Sequence, residues 1–311
     1  MQASLIAGEQ VLVMLLLMAV GFGLYKLKVF SDSTCAQLNR FLQIFVVFIV
    51  IFSSFNRPYD RQVLINTGLG ALFSACGYLV GFALIFLLIR GKSETARVDR
   101  FGALMPNAGF MGIPLVNAFL GSEAVIYAST AVLMFNLVQW TLGRIMLTGE
   151  TDRKEMLKKI ILNPGVLGIL CGLVLFLCPF TLPNFIGSAL GHIANLNTPI
   201  AMIVMGTAIA RTNVLPVLKD PKAWLVCLIK LILIPACTLP VLLLVRAGDL
   251  VTTASYLLTA CPSGAIVALF PSLLGLKEGE QRGSGLVAMT TALSILTLPL
   301  MILFKTLVTG A

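Results

Sequence analysis

Apolar runs long enough to cross a bilayer recur from one end of this 311-residue chain to the other. A hydrocarbon core about 30 Å thick takes roughly 20 apolar residues of helix. Ten such runs can be drawn, at roughly 9–28, 37–55, 64–90, 101–120, 124–148, 164–180, 190–211, 223–246, 252–275 and 283–308. The composition agrees, with 58% hydrophobic and only 11% charged residues, where a soluble domain carries roughly a quarter charged. The expected fold is therefore an all-α membrane protein of ten transmembrane helices, with no separate soluble domain. The first run has no Lys or Arg before it and no evident small-residue cleavage site, so it reads as a span and not as a signal peptide.

The net charge of +9 is laid out by side of the membrane. Seventeen of the 22 basic residues fall in the odd-numbered connections, among them Lys26, Arg40, Arg97, Arg144, Arg153, Lys219 and Arg282. The even side holds only Arg57, Arg61, Arg246 and Lys305, and Lys230 lies within a span. Basic loops stay cytoplasmic, which puts both termini outside in a multi-pass membrane protein. This asymmetry is topology, and no nucleic-acid partner is implied. In the basic loop at 149–163, Met156, Leu157, Ile160 and Ile161 share one helical face, with Lys154, Lys158 and Lys159 largely turned away from it. A short helix on the inner lipid surface is expected there.

Five spans precede that loop and five follow it. Five is odd, so the second half enters from the opposite side, as in an inverted 5+5 repeat. Matching features recur in order: Pro106-Asn107 with Pro262-Ser263, Leu120-Gly121 with Leu274-Gly275, YASTAVL with VAMTTAL. Spans 4 and 9 each carry two prolines, Pro106 and Pro114 in one, Pro262 and Pro271 in the other. Proline removes a donor and clashes with the preceding turn, and freed carbonyls are tolerated only in protein or in a wet cavity. Paired broken helices in corresponding halves are how carriers build a midplane site.

Catalysis has little to work with. There is one histidine, His192, near the expected outer rim of span 7, and no Asp or Glu in the middle of any span. The seven cysteines form no CxxC or Cys/His grouping, so neither metal nor cofactor is expected. An intramembrane cation needs a compensating carboxylate, so the missing acids favour an anionic or neutral substrate. Half-helix N-termini at the breaks would direct N–H groups toward an anion, and Asn107 and Ser263 would add side-chain donors. Lys230 either partners the substrate or the broken helices, or it snorkels or caps a carbonyl of the break. Asn136 and Gln139 are substrate contacts or interhelical hydrogen bonds.

MPNAGFMGIPL at Met105–Leu115 resembles the crossover signature of the auxin efflux carrier family. KLILIP at Lys230–Pro235, CPSGAIVALF at Cys261–Phe270 and TTALSILTLPL at Thr290–Leu300 extend the likeness along the chain. The resemblance implies a homodimeric elevator carrier of small organic anions, dicarboxylates such as malate and malonate in bacteria and auxin in plants. It assigns residues 1–60 and 163–215 (spans 1, 2, 6, 7) to a scaffold and residues 61–150 and 220–311 (spans 3–5, 8–10) to a transport domain. By position, Pro106, Asn107, Gly112 and Pro114 match the first crossover and Pro262 the second, and Gly109 in the first run is a further candidate substrate-binding residue. The length resembles that of the family's prokaryotic members, which implies a prokaryotic inner membrane. Ser263 stands where plant auxin carriers have glutamine, which weighs against auxin itself. Span 2 lacks the family's proline near Val47–Phe48, whereas Pro199 is kept in span 7. Two rival readings are a sodium-coupled symporter of the bile-acid type and a carrier-like membrane sensor.

Overall fold

The computed structural model describes residues 2–149, 152–178, 180–211, 215–245 and 247–310, with the side chains of residues 2–8 and Val11 left outside the description. Arg246, one of the basic residues expected on the outer side, lies outside the described residues. The chain runs α1 (Gln2–Lys26), α2 (Asp32–Ser54), α3 (Arg61–Leu88), α4 (Glu94–Leu104), α5 (Ala108–Leu120), α6 (Ser122–Thr148) and α7 (Arg153–Ile161). It continues as α8 (Pro164–Leu177), α9 (Asn184–Arg211), α10 (Leu215–Leu218), α11 (Pro221–Leu244), α12 (Asp249–Ala260), α13 (Ile266–Leu273) and α14 (Lys277–Thr309). Helix starts are written in the sequence. Ser31, Asp60, Ser93, Asp152, Asn163 and Asp220 each accept a hydrogen bond from a first-turn N–H, which satisfies a donor that the helix cannot.

Six of these helices, α2, α3, α6, α9, α11 and α14, are single pieces long and apolar enough to cross a membrane, and α7 with α8 makes a seventh candidate bent by 56°. The other expected spans fall short for a visible reason. Spans 4 and 9 are split into α4/α5 and α12/α13, and Leu12–Lys26, the stretch of α1 whose side chains are described without a gap, is by itself shorter than a span. Large apolar side chains face outward along many helices, among them Leu16, Leu79, Leu244, Leu296 and Leu307. A soluble surface of that kind would aggregate, whereas lipid accepts it.

The packing falls into neighbouring sets. α1 runs along α9 and α2 along α8, while α3 packs on α6, α11 and α12, and α14 packs on α13 and α4. The α1/α9 contact is backbone against backbone. A Cβ at Gly206 would lie 1.9 Å from the Met18 carbonyl oxygen, and one at Gly21 would lie 2.1 Å from that of Ile203. Small residues let membrane helices approach this closely.

α7 forms where the basic loop was expected to be helical, with Met156 and Ile160 buried but Leu157 and Ile161 exposed. Its Glu155 pairs with the buried Arg144 at 2.8 Å. At the same end of the molecule Arg282 makes a bidentate pair with the buried Asp99 (2.7 and 3.1 Å) and a contact with Asp220 (2.8 Å), joining α14, α4 and the start of α11. Asp99, about two helical turns ahead of Pro106, was not singled out by the sequence. The missing proline of α2 is replaced by a wide turn over Leu42–Val46, where Val47 N–H reaches Leu42 O. All seven cysteines are free, and only Cys35, Cys227 and Cys261 are buried.

Candidate binding site

The two breaks meet. A residue before proline is pushed out of the helical region, and both Met105 and Cys261 are extended. α4 therefore ends at Leu104 and α12 at Ala260. The freed strands cross as a minimal antiparallel bridge pairing Pro106 with Ser263. Asn107 N–H donates to Pro262 O at 2.7 Å, and Gly264 N–H donates to Met105 O at 3.0 Å. Ser263 is fully buried and fully used, its N–H donating to Thr290 Oγ1 (3.1 Å) and its hydroxyl to Gly102 O (2.8 Å).

The bridge changes which donors are free. Instead of Asn107, Ser263 and Gly264, the N–H groups without a hydrogen bond among the described residues are those of Ala108, Gly109 and Phe110 and those of Ala265 and Ile266. They are the first-turn donors of α5 and α13, and all five residues line one cavity of about 230 Å³. Two positive helix ends thus converge on the same space. Asn107, Asn136, Gln139 and Pro106 line it as well, together with Gln43 of α2, Trp140 of α6 and Asn163 at the start of α8.

None of the lining residues is charged. The amides are partly committed. Asn136 Nδ2 bonds its own helix at Val132 O (2.8 Å), and Asn107 Nδ2 rests on Met205 Sδ (3.0 Å), a weak acceptor that a carboxylate would displace. The Gln139 side chain makes no hydrogen bond among the described residues and sits where α6 widens into an i→i+5 turn, as helices often do at sites.

The remaining expected site residues lie elsewhere. Gly112 is buried beside the cavity, where a Cβ would come within 2.4 Å of Leu258 of α12. Pro114 and Pro271 sit inside α5 and α13, so the chain breaks only at Pro106 and Pro262. Pro114 still acts on the site. In the wide turn over Ala108–Gly112 the next donor would reach Gly109 O, but proline has none, and Asn197 Nδ2 of α9 takes that carbonyl instead at 3.3 Å. Lys230 lies across the bridge from the large cavity, donating to Thr259 O at 3.2 Å near the C-terminal end of α12. His192 is exposed on α9.

Sequence reasoning missed Asn197, Gln43 and Asn163. Asn197 is buried, bonds the carbonyl of Gly109, a lining residue of the 230 Å³ cavity, and itself lines a second, more polar cavity of about 340 Å³ with Arg57, Asn117 and Asn195. The available signals were a lone amide in an apolar stretch for Gln43, a pair of amides with Asn195 for Asn197, and an Asn-Pro helix start for Asn163. Among the described residues no group of three His, Cys, Asp or Glu side chains could hold a metal ion.

A family model for membrane transport proteins matches residues 6–156 and again residues 153–302. The chain belongs to this family, that of the auxin efflux carriers. A protein of Methanothermobacter thermautotrophicus called an uncharacterized transporter is 26% identical over 300 residues, covering 94% of this chain and 96% of that one. The family is one of membrane transport proteins, and its two matched segments meet inside the basic segment that carries α7.

Proposed function

We propose that this chain is a secondary carrier of small organic anions, carboxylates such as malate or malonate, working by elevator-type alternating access. The observation that carries this reading is the convergence of five free first-turn N–H groups from two half-helices on one uncharged cavity. Such a site favours negative charge through fixed dipoles without a competing basic side chain. The absence of a carboxylate from its lining removes the usual means of holding a cation. Neutral amides at Asn107, Asn136 and Gln139 supply directional donors for a planar carboxylate.

The ten-span, 5+5 inverted arrangement is part of the proposal, supported by the basic-residue asymmetry and by two family matches that divide the chain near its middle. Spans 1, 2, 6 and 7 form the scaffold and spans 3–5 and 8–10 the moving domain, in a homodimer in the cell membrane with both termini outside. α7 then lies against anionic headgroups through its exposed lysines. In this scheme Asn197 and Met205, both on α9, are the scaffold's contacts to the crossover, at Gly109 and Asn107. Two weak bonds of this kind would hold one position of the elevator without locking it. Counterflow of labelled malate, malonate and other carboxylates into proteoliposomes tests the reading. Saturable counterflow by at least one carboxylate is expected, and binding without flux would favour a sensor instead.

A further inference from the structure

Behind the bridge, on the face of Pro106 away from the large cavity, lies a separate small cavity of about 30 Å³. It has room for one or two water-sized spheres. Lys230 lines it and is 1% exposed. Every other buried cation among the described residues has a carboxylate: Arg144 has Glu155, Arg282 has Asp99 and Asp220, and Lys305 has Asp249. Lys230 has one carbonyl, that of Thr259, and no acid. The ammonium carries three donors, so two remain.

The rest of the lining is rich in hydroxyls. Tyr78 Oη and Ser255 Oγ, from α3 and α12, are buried and have no hydrogen-bond partner. Two free ammonium N–H groups and two free O–H groups therefore border a space one or two atoms wide. A water molecule accepts two of these and leaves the charge uncompensated. A single-atom anion accepts all four and neutralises the ammonium. Burying an unpaired charge costs several kcal/mol or more, which is why buried charges are paired.

We infer that the cavity formed by Lys230, Tyr78 and Ser255 is a halide site, occupied by chloride, that neutralises Lys230 and braces the back of the crossover. It is distinct from the cavity assigned to the organic anion, and it does not depend on that assignment.

Equilibrium dialysis of the purified full chain against radioactive chloride in chloride-free sodium HEPES buffer tests this. The wild type should bind one chloride per chain saturably, and its unfolding temperature should rise with sodium chloride or bromide but not with added sodium HEPES at the same ionic strength. Lys230→Met should abolish both responses. If that variant does not fold, the double variant Tyr78→Phe/Ser255→Ala keeps the charge and should weaken binding roughly tenfold or more, two hydrogen bonds to a charged partner being lost. No saturable chloride in the wild type would overturn the inference. So would binding that survives in both variants, or binding lost in Asn107→Ala but kept in Lys230→Met, which would move the ion to the larger cavity.

Discussion

Asn107 contributes twice to the site, through backbone and side chain. Its N–H holds the bridge at Pro262 O, and its carbonyl accepts from both Met111 and Gly112 at the start of α5. The side chain is left with a thioether partner, which makes it the donor most easily given to a ligand. Losing one hydrogen bond to a charged group costs about 1.5–3 kcal/mol, so Asn107→Ala should weaken substrate binding by roughly 10- to 150-fold. Because the backbone bonds remain, its unfolding temperature should stay near wild type. Unchanged affinity in a binding assay would confine Asn107 to the bridge. Within α4, Asp99 shows the opposite balance. Removing it leaves Arg282 buried with only the half-exposed Asp220, and breaking a buried pair costs about 3–5 kcal/mol. Asp99→Ala should therefore lower thermal stability sharply, and a variant as stable as wild type in a melting experiment would contradict this account.

Elements are placed by where helices are interrupted or widened. Pro106 and Pro262 end α4 and α12 by excluding the helical conformation from the residue before them, and the resulting gaps fit each other. Wide turns then occur at Leu42–Val46, Ala108–Gly112, Gln139–Gly143 and Ile229–Leu233, the last containing Lys230. Each shifts side chains off the regular helical stripe around the crossover, which is why periodicity alone would not have aimed them. The α1/α9 contact depends on glycine in a simpler way. Gly206→Leu has no room against the Met18 carbonyl and should separate the helices, seen as loss of a monodisperse peak and a lower melting temperature. Gly191→Ala, on the same helix but with nothing within 4 Å of its added carbon, should be neutral. Equal behaviour of the two would remove close packing as the reason for glycine at 206.

The whole molecule belongs to a family of membrane transport proteins, and its proposed topology rests on charge. Tyr59 and Leu157 are both exposed, and the basic-residue asymmetry puts them on opposite sides. In a cysteine-free background, Tyr59→Cys should react with an impermeant thiol reagent from outside, and Leu157→Cys only after the membrane is opened. Labelling of both from one side would overturn the ten-span arrangement.

The sequence by itself determined the class, because apolar runs of this length have few ways to satisfy their backbone, and it located both breaks, because proline acts on its immediate neighbour. It also pointed to Asn107, Gly109, Asn136 and Gln139, which all line the same cavity. Those effects are local and need no partner to be read. What lies across from each residue was decided by tertiary structure alone. Pairing of the two breaks consumed the N–H groups of Asn107 and Gly264, Thr290 took that of Ser263, and those one to three residues further on were left free. It put Lys230 behind the bridge, and it brought Asn197 from a distant helix to the carbonyl that Pro114 leaves open. Such outcomes depend on which of many apolar helices become neighbours, and in an apolar chain helix contacts are set by close packing of shapes, which no single stretch of sequence contains.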